Sequence, residues 1–110
     1  MPSVFNRKLS RQGGTSLTAV GAYTVPSATT TVILGLSITN TIANNITASA
    51  TVNDGVNDYY LVKDAPIAPG ATLVIVGGDQ KVAVITGDSI KVSSNTATSI
   101  DTVMSILENS

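Results

Sequence analysis

Asn53, Asp54, Asn57 and Asp58 crowd four oxygen-bearing side chains around Gly55. Oxygen donors at that spacing resemble a fragment of a calcium loop. No bidentate Glu follows at the EF-hand distance, so the competing reading is a turn stabilised by its own aspartates. If Asp54 and Asp58 held calcium, a chelator would lower the melting temperature.

The sequence contains no His and no Cys. The commonest acid–base group and the thiolate nucleophile are therefore missing. The remaining titratable groups include seven acids, of which Asp54, Asp58, Asp79 and Asp88 sit beside glycine turns. Aspartate favours such places through its own side chain. The expectation is a protein that is not an enzyme and holds no metal or other cofactor. Gly77-Gly78-Asp79-Gln80 joins two apolar runs and leads into no helix, so it reads as a hairpin turn and not as a phosphate cradle. Asn45-Ile46-Thr47 matches a glycosylation acceptor, but the start of the chain has no apolar leader. Tyr59 and Tyr60 are strand neighbours facing opposite sides, with one expected in the core.

The elements that would position these groups are strands. Leu73–Val76, Val82–Ile85 and Ile90–Val92 are β-branched runs cut by Gly and Asp, which predicts an antiparallel meander. Val32, Leu34, Leu36 and Ile38 share one parity, with Ile33 the exception. Ile46, Ala48, Ala50 and Val52 alternate with polar residues, the pattern of a half-buried strand. Asp54-Gly55 supplies the positive φ of a tight hairpin. Asp64 to Gly70 holds two prolines and predicts a crossover between sheets. Residues 98–107 fit helical and strand spacing alike, and their Thr and Ser neighbours favour a strand. The sum is an all-β chain: an antiparallel sandwich or small barrel of about eight strands.

Residues 1–14 differ from the body at 15–110. They carry Arg7, Lys8 and Arg11, no acid and the only Phe. No strand alternation is visible there. The segment is read either as a frayed end or as an extended arm that orders on a partner. In the second reading Val4, Phe5 and Leu9 anchor it and Arg7, Lys8 and Arg11 make charge contacts. Deleting it should then leave the body folded.

Net charge is −1, which gives no bulk attraction to nucleic acid. No run of about 18 apolar residues predicts a membrane span. Charged residues make up only 12% of the chain, about half the usual share. Several strands are apolar on both faces, more than one small core can hide. A homo-oligomer or a place on a larger assembly is expected.

Asp58 to Ile67, Pro69 to Val74, Gly77-Gly78-Asp79-Gln80-Lys81 and Thr86 to Val92 follow one another in an order that resembles small β-sandwich virion proteins of tailed bacteriophages, cyanophages especially. Ser3-Val4-Phe5-Asn6-Arg7 is similar to their start. The resemblance implies a non-enzymatic structural protein made in the host cytoplasm and carried in the virion. Its partners would be the major capsid protein, or neck and tail proteins, and further copies of itself, with a trimer as the expected form. A capsid decoration or cement role leads, and a neck, collar or tail-attached component follows. A host-glycan-binding module built around Tyr59 or Tyr60 is the reading of another class.

Overall fold

The computed structural model describes residues 3–77 and 81–110. Two antiparallel sheets face each other across one core. The first is ordered β1 (Ser3–Gly13), β9 (Ile100–Asn109), β3 (Thr30–Asn40), then β6 (Thr72–Val76) and β7 (Val82–Ile85) sharing the far edge. The second is ordered β2 (Thr18–Ala19), β8 (Ser89–Ser94), β4 (Ile46–Asn53) and β5 (Asp58–Ile67). A 3-10 turn at Val20–Ala22 follows β2. No α-helix occurs among the described residues. The all-β sandwich expected from the strand rhythm is the fold observed.

Alternation places the core. Ile100, Met104 and Ile106 of β9 are buried, while Val103 and Ser105 between them are exposed. β9 is thus the strand that its context favoured over a helix. Ile46, Ala48 and Ala50 of β4 and Ile90 and Val92 of β8 meet β9 from the other sheet. The β4–β5 hairpin turns at Asp54–Asn57, with Gly55 at φ 95 as the tight turn requires.

β3 corrects a simple parity. Thr31 and Ile33 are buried, then Leu36, Ile38 and Asn40. The register against β9 slips between Ile33 and Gly35, so Leu34 is the extra residue of a bulge. A bulge flips the alternation, which is why Ile33 was the exception and why Val32 and Leu34 are not core.

The meander does not form. β6 pairs with Leu36–Thr39 and β7 with Thr30–Ile33, both antiparallel to β3. They run in the same direction, end to end, along one edge, and β8 belongs to the other sheet. The chain between β6 and β7 therefore does not reverse, and the hairpin expected at Gly77 to Gln80 is absent from the pairing. Residues 78–80 themselves lie outside the described residues. The proline segment is also corrected in part. Asp64 to Ile67 continue β5, and Pro66 pairs opposite Thr47. β5 is an outer strand, where a missing N–H is tolerated. The crossover to the first sheet begins only after Ile67.

Candidate functional site

The stretch read as an arm or a frayed end is β1, paired along β9 from Ser3 opposite Asn109 to Gly13 opposite Ile100. Its described side chains are all exposed or half-buried, so it carries no burial alternation to detect. What holds it is partly distant in sequence. Lys8 Nζ sits 4.9 Å from the centre of the Tyr23 ring, a cation–π contact. Gly21 N–H donates to Ser10 Oγ at 2.8 Å. Gly21, at φ 61, lies so close that an added Cβ would meet Lys8 Cβ at 3.0 Å. Asn6 donates to Glu108 on β9. Because β1 covers the β9 edge, deleting it would expose that edge and not simply free the body of an arm.

Tyr23 ties this corner together. Its hydroxyl donates to Glu108 Oε2 at 2.8 Å and lies 2.9 Å from Thr31 Oγ1. Burial raises the phenol above its ordinary range; the Thr31 contact opposes this and Glu108 adds to it. The folded state therefore keeps the Tyr23 proton longer than the unfolded chain does. Its contribution is complete below the unfolded phenol value of about 10 and is lost as pH rises beyond it. Tyr23→Phe should cost about 1–2 kcal/mol at neutral pH. Urea melts should show the gap between wild type and variant narrowing at alkaline pH.

The six candidate residues split between two sides of β1. Phe5, Arg7 and Leu9 stand opposite Leu107, Ser105 and Val103, so they share the outward face of the first sheet. Val4 and Lys8 point to the other side, and Arg11 is exposed beside a register shift between Ser10 and Gly13. They do not form one anchor cluster.

What the register does form is a set of rows across the outer face of the first sheet. One row is Phe5, Leu107, Val32 and Ala83, on β1, β9, β3 and β7. A second is Leu9, Val103, Ser37 and Val74, on β1, β9, β3 and β6. Between them runs a trough of Arg7, Ser105 and Gly35. Phe5 is 76% exposed, Val74 65% and Val103 48%, and Ile85 at the end of β7 is 62% exposed. The other sheet's outer face is quite different. Thr47, Ser49, Thr51 and Asn53 of β4 stand beside Ser89, Lys91 and Ser93 of β8; these are mostly hydroxyl and amide side chains, of which Ser49, Thr51 and Ser89 are buried and the others half-buried. The outer side of β4 and β8 is therefore polar in composition, while that of the first sheet exposes hydrocarbon. Sequence reasoning found the excess of apolar residues but not their alignment, because the rows join strands up to a hundred residues apart.

The remaining chemistry is internal to turns. Asp54 Oδ1 accepts from Val56 N–H at 2.9 Å and Asn57 N–H at 2.7 Å, and Tyr59 donates its hydroxyl to Oδ2. Those backbone bonds, Asn57 first, hold the Asp54 carboxyl below its usual range. Asp58 Oδ1 accepts from Thr51 Oγ1 at 3.0 Å and Asn53 Nδ2 at 2.9 Å. The turn reading thus has a full set of hydrogen bonds, and no three acids converge as metal ligands among the described residues. Tyr59 and Tyr60 are both about half exposed, at 55% and 51%, so neither packs in the core as expected. They face opposite sides, Tyr59 opposite Val52 and Tyr60 opposite Thr51, and make no shared platform. Lys63 lies over the Tyr60 ring at 5.2 Å. No pocket opens among the described residues.

Compared with known protein-family models and with curated proteins, the chain matches none.

Proposed function

We propose that this chain is a non-enzymatic structural component of a tailed-phage virion, a capsid decoration or cement protein. The observation that carries the reading is the hydrocarbon-rich outer face of the first sheet. A solvated β-sandwich keeps such rows off its surface; a protein held by neighbours uses them. Few charges, no pocket among the described residues and carboxylates committed to turns support a surface that assembles and not one that transforms a substrate. The ordered run from Asp58 to Val92 supplies the likeness to virion proteins. The physical task is to bury surface across seams of a pressurised shell. Small contacts repeated over many copies add up at about 25 cal/mol per Å² of apolar area.

Purified virions test the reading. The protein is expected in the particle at hundreds of copies, and a particle map should show it on the capsid surface. A dozen or so copies would move it to a neck ring (both numbers are rough symmetry expectations). Absence from washed virions would refute the virion role.

A further inference from the structure

We propose that the outer face of the first sheet is a homodimer interface, with two copies packed face to face about a two-fold axis. This rests on the assembly reading above and deepens it by naming what covers that face.

Four observations lead there. The first is the contrast between the two outer faces. A chain that merely lacked charge would show hydroxyl-rich surfaces on both sheets, yet the aliphatic rows lie on one alone. The second is relief. The rows are four residues apart on β1 and β9, about 14 Å, and the trough midway between them, about 7 Å from each, contains Gly35. A Cβ added there would come no nearer than 3.9 Å to any atom, so the trough is open to a ridge from another sheet. The third is charge. Between the two rows the charged position is Arg7, on the edge strand, where it would fall at the rim of an interface. The middle of the face can be dried without burying an ion.

The fourth is area. Four strand positions at about 4.8 Å and ten residues at about 3.4 Å give a footprint of roughly 650 Å² per copy. Two copies bury roughly 1,300 Å², within the range of specific stable interfaces. The occupant with the matching shape is the same face of a second copy. Two sheets with the same right-handed twist pack aligned at about −30°, with interleaved side chains about 10 Å apart. A glycan would call for stacked aromatic rings, and a nucleic acid for a field of cations. The centre of this face has neither. A face-to-face contact also closes with two copies, whereas a trimer would leave one face uncovered.

Sedimentation of the full chain decides it. Wild type is expected to be a dimer at micromolar concentration. Val103→Lys with Val74→Lys should weaken the dimer about 100-fold or more. Ser93→Lys, on the other sheet's outer face, should leave it unchanged. Circular dichroism melts establish that each variant folds; if the double variant does not, Val103→Ser replaces it and should weaken the dimer less. A wild-type monomer at the highest soluble concentration, a trimer, a dimer that survives both lysines, or one that Ser93→Lys breaks would overturn the inference. A monomer found on virions would sink the dimer and leave the virion role standing. A dimer missing from virions would do the reverse.

Discussion

Asn40→Asp is expected to destabilise the protein by about 3–5 kcal/mol, a change of one atom in an otherwise identical shape. Asn40 is fully buried at the end of β3. Its Nδ2 donates to Asn44 O at 2.8 Å and Ile67 O at 3.0 Å, and its Oδ1 accepts from Ile42 N–H at 3.0 Å. One side chain therefore shapes the turn into β4 and holds the end of β5. Aspartate puts an oxygen where the donor was, facing two carbonyl oxygens. Protonating that carboxyl restores a donor for one of them. The folded state of the variant thus binds its proton more tightly than the unfolded chain, and its stability rises as pH falls. Urea unfolding at neutral and mildly acidic pH should show the deficit shrinking in acid. An equal deficit at both would mean that Asn40 acts by shape alone.

Ile106→Ala should cost about 2–5 kcal/mol, whereas Val103→Ala on the same strand should change monomer stability by about 0.5 kcal/mol or less. Ile106 is wholly buried in the central part of the first sheet, so truncation leaves a void the neighbours cannot close. Val103 is half exposed and contacts solvent on the outer face. The two residues are three apart in one β-strand, and only opposite facing gives them such different costs. Denaturant midpoints measured at a concentration where the chain is monomeric check this. Comparable losses for both would mean that β9 is buried on both faces.

Much of the architecture was legible because it is local. The alternation of Ile46, Ala48 and Ala50 and the Asp54-Gly55 turn report one strand and one hairpin, and both form, but the strand is not half-buried, since Ser49 and Thr51 on its other side are buried too. β9 was harder, since Ile100, Val103, Met104 and Leu107 also fit a helix; burial of Ile100, Met104 and Ile106 settles the period at two. The misreadings concern pairing. β1 shows no pattern because an edge strand with little cover has no hidden side. The glycines after Val76 suggested a reversal, but β3 is long enough to seat two short strands in line. The bulge at Leu34 reversed the parity of half of β3, and the one local sign of it was Gly35 inside the strand. The role of Asn40 was not legible because it depends on a partner, Ile67, 27 positions away. The candidate surface was legible only as an excess of aliphatic residues, because its rows exist once four strands are side by side.

The pairing of Ser3 with Asn109 carries a kinetic consequence. During synthesis the strand that emerges first cannot find its neighbour until Ile100 and the residues after it have left the ribosome. At about 5–20 residues per second that is a wait of roughly 4–17 s, far longer than a hairpin needs to close. Throughout that time Phe5 and Leu9 stand in an unpaired ribbon, available to chaperones or to the same ribbon on a nearby nascent chain. Closing the β1–β9 pair is then a late and slow step, because it joins strands about a hundred residues apart.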